Sequence, residues 1–156
     1  MAQVHRTAFA RAGEDPPVEV SLLARLRADP AWLPHLSLVA VADGEVAGHA
    51  VATRAWVGDA PALGLGPVAV RPDRQRGGIA TVLLHALVAV AETHGETLVA
   101  VLGDPGYYRR FGFTAATGVG IVPPDPAWGP HFQARSLAGS VPRGRFRYAP
   151  PFDGLG

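Results

Sequence analysis

The alternation of apolar and polar positions divides the chain into short segments. Between 17 and 28, Val18, Val20, Leu22, Leu23 and Leu26 recur among polar residues, which predicts an amphipathic helix stopping before Pro30. Leu36–Ala42 and Val46–Val57 read as strands joined at Asp43-Gly44, a dipeptide suited to a tight hairpin turn. Leu63–Val70 predicts a third strand, closed by Arg71-Pro72. The period then changes: Ile79–His94 is a long helix, with Gly95 placed to cap its C-terminus. Leu98–Leu102 is an apolar run expected as a central strand buried on both faces. Asp104 is expected to cap a short helix over 105–111. Pro123-Pro124-Asp125-Pro126 marks an extended loop, Phe132–Leu137 a late strand, and the Pro- and Arg-rich tail from Val141 a surface wrap. This order predicts an α/β or α+β sheet with helices on its faces.

Composition narrows the chemistry. The 156 residues, 48% of them hydrophobic, suit one domain over 1–156, without internal repeat or linker. No apolar run is long enough to span a bilayer, and the start has no basic segment leading into an apolar stretch, so a cytoplasmic domain is expected. A net charge of +1 gives no reason to expect a nucleic acid, a membrane surface or a strongly acidic partner. The absence of cysteine excludes disulfides, thiolate metal sites and thiol nucleophiles, and no metal is expected. All 14 basic side chains are Arg, so a Walker-type phosphate loop and Schiff-base chemistry are excluded as well. The Arg bias, with abundant Ala, Gly, Val and Pro, suggests a GC-rich bacterial source.

One segment carries most of the functional signal: Val68-Ala-Val-Arg-Pro-Asp-Arg-Gln-Arg-Gly-Gly-Ile-Ala80. A strand ends, a glycine-rich turn follows, and a helix begins at once. A helix N-terminus presents unpaired backbone N–H groups and partial positive charge, which suits a diphosphate. Gly77 and Gly78 leave room for its approach, and Arg74 and Arg76 add charge beside the turn. Taken alone, the segment is equally well read as a plain strand–turn–helix junction.

With its flanks the segment resembles the motif of the GNAT acetyltransferase superfamily. That motif is a strand ending in Val-x-Pro, then Gln-x-x-Gly-x-Gly or Ala opening a long helix, here Val70, Pro72, Gln75, Gly78 and Ala80. A second element follows in order: Tyr107-Tyr-Arg-Arg-Phe-Gly-Phe113 resembles the superfamily's aromatic turn, with Tyr108 in the register of its tyrosine. Leu102 to Pro105 and Phe132 to Ala134 are similar to a bacterial branch of N-acetyltransferases. The resemblance covers roughly residues 20 to 150. It implies a mixed, mostly antiparallel sheet flanked by helices. It also implies acetyl-CoA as co-substrate, held by Val68, Ala69, Val70, Gln75, Arg76, Gly77, Gly78, Ile79, Ala80 and Thr81. Amides near Val68 and Val70 would hold the acetyl carbonyl at a local splay of the strand. A small-molecule or peptide amine would attack the thioester directly, and Tyr108 would protonate the departing thiolate. A phenol of pKa ~10 is protonated at neutral pH and can serve as that acid.

The general base is not assigned. Many members place a Glu on the central strand, but Leu98-Val-Ala-Val-Leu102 offers none. Asp104, His49 and Glu45 are substitutes, with helix capping an equal account of Asp104 and a structural role the usual one for a strand histidine. His85 and His94 read as helix-surface residues. The missing carboxylate sustains an alternative, an acetyl-CoA-binding sensor or interaction module without turnover. A generic nucleotide-phosphate binder is a third reading, weakened because no ribose-binding acid or Mg²⁺ ligand follows the strands. Acceptor specificity falls on the segments around 32–36, 56–63 and 123–132, with Trp32, Trp56 and Trp128 as pocket or core. Met1 to Phe9 already reads as the first helix, which leaves the superfamily's opening strand unaccounted for, either because the start is set downstream or because the strand is natively absent. Its loss would uncover the edge around Leu38 to Val41 and favour a homodimer.

Overall fold

The computed structural model describes residues 18–152 apart from Arg76, Ala138 and Ser140. Helix α1 (Val18–Arg27) leads into strands β1 (Ser37–Ala42), β2 (Glu45–Val57) and β3 (Ala60–Val70). Helix α2 (Ile79–Thr93), strand β4 (Leu98–Leu102), the single turn α3 (Pro105–Tyr108) and strands β5 (Thr114–Ala115) and β6 (Ile121–Val122) follow. The chain closes with β7 (Phe132–Ser136) and β8 (Gly144–Arg147). The sheet runs β5-β7-β4-β3-β2-β8-β6, and β1 pairs β2 beside β8. β3–β4 and β6–β8 are parallel and the remaining pairs antiparallel.

Local chemistry explains the punctuation. The β1–β2 turn places Asp43 at φ 55° and Gly44 at φ 78°, the left-handed pair a two-residue hairpin needs. α2 ends in a Schellman motif: Glu96 N–H donates to the Ala91 carbonyl and Gly95 N–H to that of Glu92, with Gly95 at φ 76°. Asp104 Oδ1 accepts from Gly106 N–H at 2.9 Å and so caps α3, as expected.

Period-two alternation in the strands splits the core between the two faces of the sheet. One face carries Ala50, Ala52, Leu63, Leu65, Val99 and Val101, covered by Leu83, Leu84, Leu87 and Ala91 of α2. Each buried leucine there contributes about 2 kcal/mol. The other face carries Ala55, Ala62, Leu98, Ala100 and Ala134, covered by Phe132, Ile121 and Phe146. α1 sits at the margin: Leu22 and Leu26 pack on Ala149, and the Arg25 guanidinium donates to the Pro151 carbonyl.

Three expectations need correction. The tail from Val141 is not only a surface wrap, because β8 pairs with β2 (Trp56↔Arg147, Val57↔Phe146) and buries Phe146. The third strand begins at Ala60 and not at Leu63, so β2 and β3 form one hairpin turning at Gly58-Asp59, with Val57 paired to Ala60 and Trp56 to Pro61. The helix over 105–111 is one α turn followed by a 3-10 turn, Arg109–Phe111. The helix read at Met1 to Phe9 and the missing opening strand lie outside the described residues. Among the described residues β1 pairs only with β2, and Val39 and Val41 are exposed. No helix among the described residues is long and apolar enough to cross a membrane.

Candidate active site

The site begins where α2 meets the end of β3. Gly48 on β2, paired with Val70, has no side chain, and a Cβ there would lie 2.9 Å from Ile79 Cγ2 and 3.1 Å from Leu83 Cδ1. The missing methyl lets the first turn of α2 settle against the sheet beside Val70. Gly78, the N-cap, adopts φ 83° and supplies no side-chain cap to the helix. The first N–H groups of α2 are thus left to water or an anion.

β3 separates from β4 at the same level. The two strands pair only at Leu63↔Val99 and Gly64↔Ala100. Ala52 opposes Leu65 while Ala50 opposes Val68, so β3 holds one extra residue at Gly66-Pro67, a bulge that bends it away. Arg71 N–H donates to the Ala47 carbonyl of β2 at 2.8 Å. By strand alternation the Ala69 amide also faces β2, while those of Val68 and Val70 face the gap. The Val70 carbonyl, turned the same way, accepts from Gln75 Nε2 at 3.1 Å. The local splay expected at this strand is present, and Ala69 contributes no amide to it.

A cavity of about 440 Å³ opens at this junction, lined by Val70, Arg74, Gln75, Gly78, Ile79, Ala80, Thr81, Tyr107 and Arg110. Of the residues expected to hold the co-substrate, six line it; Val68, Ala69 and Gly77 do not, and Arg76 lies outside the described residues. The charge is distributed differently from the expectation. Arg74 is ion-paired with Asp43, and Arg71 binds Glu45 at 2.6 Å and Asp73 at 3.2 Å. Arg110, missed in the sequence, lines the same cavity, its guanidinium 5.1 Å from the Tyr107 ring centroid. Its only signal was a position two residues beyond the motif tyrosine.

Tyr108 does not line this cavity. Its ring lies over Gly103 at the end of β4, where a Cβ would be 2.5 Å from Cε2, and meets Phe113 edge-on at 5.8 Å. Burial, and then the Tyr107 phenol, push its pKa up to about 12, so the hydroxyl keeps its proton across the neutral range. The Tyr148 ring, carried in by β8, lies over Gly64, where a Cβ would be 2.8 Å from its Cδ1 and Cε1.

The substitutes for a general base are each engaged elsewhere. Asp104 caps α3, Glu45 binds Arg71, and buried His49 has Nε2 3.0 Å from Ser37 Oγ. His94 is exposed and stacks on His35, and exposed His85 tilts against Phe111. The tryptophans separate: Trp32 packs by α1, Trp56 lies under the Arg147 guanidinium, and Trp128 meets Phe132 and Tyr148. Among the described residues no group of three His, Asp or Glu side chains is placed to hold a metal ion.

Comparison with known proteins places this geometry. A crystal structure of a GNAT family acetyltransferase from Brucella melitensis, in complex with acetyl-CoA, superposes with TM-score 0.78 and 34% identity over 97% of this chain and 89% of that one. YhbS, a GNAT family N-acetyltransferase from Escherichia coli solved with CoA, gives TM-score 0.85 and 28% identity over 99% and 88%. Over 104 residues the chain is 36% identical to YjhQ of Escherichia coli K12, an uncharacterized N-acetyltransferase, spanning 64% of this chain and 58% of that relative. Residues 4–113 match the model of the acetyltransferase (GNAT) family. The mixed, mostly antiparallel sheet, the glycine-led α2 and these matches agree, and the chain belongs to the acetyltransferase (GNAT) family.

Proposed function

We propose that the protein moves an acetyl group from acetyl-CoA to an amine by direct attack. The observation that carries this reading is the uncapped start of α2, which shares a cavity with Arg110 and lies beside strand amides turned away from β2. The α2 amides and Arg110 would hold the diphosphate, and the Val68 and Val70 amides the acetyl carbonyl and the arm leading to it. The amine lone pair forms the N–C bond, the C–S bond breaks, and the sulfur takes the Tyr108 proton. The ammonium proton of the new amide leaves to water. Water also re-protonates Tyr108.

This assignment goes with a cytoplasmic bacterial protein, where acetyl-CoA is made, and with a small-molecule or peptide amine as acceptor. It invokes neither nucleic acid nor membrane. Thiol release over a panel of amines and peptide N-termini is the direct test. Turnover is expected with at least one acceptor, and about a hundredfold loss in Tyr108→Phe. An intact protein that gives no heat with coenzyme A refutes the reading. A second reading, acetyl-CoA binding without turnover, is favoured by one observation, that Asp104, Glu45 and His49 are all engaged structurally. Heat with acetyl-CoA but no thiol release from any amine would establish it. The β1 edge, with Val39 and Val41 exposed, is where a second copy would pair. Light scattering at high concentration is expected to show dimer, and a monodisperse monomer counts against it.

A further inference from the structure

The C-terminal segment packs on the sheet beside the point where β3 and β4 part. In register across the sheet lie Thr53 on β2, Gly64 on β3, Ala100 on β4 and Ala134 on β7. All four side chains are small, and they form a trough on the face opposite α2. Gly64↔Ala100 is also the last rung before β3 and β4 part. The ring of Tyr148 lies in this trough, on Gly64, and so stands at the mouth of the gap.

Two features hold it there. β8 pairs with the end of β2, fixing the chain one residue before Tyr148. Phe146 and Phe152 brace the ring at 4.9 and 4.8 Å between centroids, and Trp128 closes from 6.4 Å. Burial, and then the Tyr108 phenol, push the Tyr148 pKa well above the free phenol range, so its hydroxyl keeps its proton. Tyr108 reaches this point from the α2 face, where it packs on Phe111 and Phe113, and Tyr148 from the other. One further polar atom lies in the trough: Thr53 Oγ1 is buried with no hydrogen-bond partner among the described residues, as a group awaiting a ligand or water would be.

We infer that Tyr148 lines the acceptor side of the transfer site, its hydroxyl oxygen accepting an N–H of the incoming amine and so aiming the lone pair at the thioester. The role rests on the transferase reading above. A diphosphate at α2 and Arg110 occupies the first face, so the amine enters from the second, over Tyr148 and Trp128. A neutral phenol there is a positioning acceptor and not a base.

The test is Tyr148→Phe with acetyl-CoA and hydroxylamine. This probe is small enough to reach the thioester whatever the acceptor pocket's shape, and it is largely unprotonated at neutral pH. The expected result is a fall of about tenfold in the second-order rate with hydroxylamine, the loss of one hydrogen bond. Acetyl-CoA affinity by calorimetry should stay within about twofold, since uniform binding is untouched. An unchanged rate overturns the proposal, because a purely structural Tyr148 would leave it there. A matched loss of acetyl-CoA affinity also overturns it, by putting the hydroxyl on the co-substrate. No transfer by the wild-type protein that binds acetyl-CoA would remove the transferase reading itself.

Discussion

The position of Tyr108 can be tested without touching Tyr108. In Gly103→Ala the new methyl would start 2.5 Å from Cε2 and 3.1 Å from Cδ2 of the ring, whereas carbon atoms rest at about 3.5–4.0 Å. The backbone of residue 103 cannot retreat easily, since its N–H donates to the His131 carbonyl at 2.9 Å and its carbonyl accepts from Gln133 Nε2 at 3.0 Å. The ring must move instead, by about 1 Å, against Phe113 and Tyr107. Overpacking of this kind costs about 1–3 kcal/mol, or a melting temperature lower by roughly 2–4 °C per kcal/mol for a chain of this size. A misplacement of about 1 Å at a reacting group costs on the order of a hundredfold in rate. Thiol release should therefore show kcat down about a hundredfold, with calorimetric acetyl-CoA affinity nearly unchanged because the α2 cavity is untouched. Gly103→Ala combined with Tyr108→Phe should lose little more than either alone, since both remove one proton donor. A folded Gly103→Ala protein with wild-type kcat would refute the placement of Tyr108 as the acid.

Two further outcomes follow from the charges. Arg110→Gln is expected to weaken coenzyme A binding about tenfold and to flatten its salt dependence, measured by calorimetry at two ionic strengths; an unchanged affinity would take Arg110 off the diphosphate. His35 stacks on His94 at 4.2 Å between centroids, and burial, then His94, lower its pKa, with Arg54 assisting and Glu96 opposing. The unfolded chain then binds more protons than the folded one below about pH 6.5, so His35 costs stability as pH falls through that value and nothing above it. Urea denaturation of His35→Gln should show a shallower loss between neutral and acid pH than wild type, and parallel curves would dismiss the effect.

How much of this was legible in the chain follows from the range of each signal. The turn at Asp43-Gly44, the cap at Asp104 and the glycine stop of α2 are local chemistry, and each lies where the residues put it. The start of α2 was legible because Gln75, Gly77 and Gly78 are contiguous with the strand they follow. β8 was not, because four residues with one apolar side chain between two arginines carry too little alternation, and their partner is far along the chain at Trp56–Val57. Ala60-Pro61-Ala62 hid the first rungs of β3, as neither Ala nor Pro favours a strand interior. Arg110 was read as part of a motif valued for its tyrosine. Tyr148 sat in a segment that looked like tail.

The residues that shape the site most are the ones without side chains. At Gly48, Gly64 and Gly103 a Cβ would collide at 2.9 Å or less, with Ile79, Tyr148 and Tyr108 in turn. The three surround the place where β3 leaves β4. Gly48 sets how near the helix amides come to Val70, Gly103 how deep the Tyr108 phenol sits, and Gly64 how flat Tyr148 lies across the opening. A helix N-terminus and two phenols thus approach one gap more closely than ordinary residues would allow. Backbone approach of this kind is fixed by the sheet register, which the buried Leu63, Val99 and Ala100 hold. The segment 123–132 is tied to the same geometry, since the His131 carbonyl accepts from Gly103 N–H and Trp128 meets the Tyr148 ring. A side chain placed at Gly64 or Gly103 is therefore expected to lower turnover while leaving acetyl-CoA binding at the α2 cavity nearly unchanged.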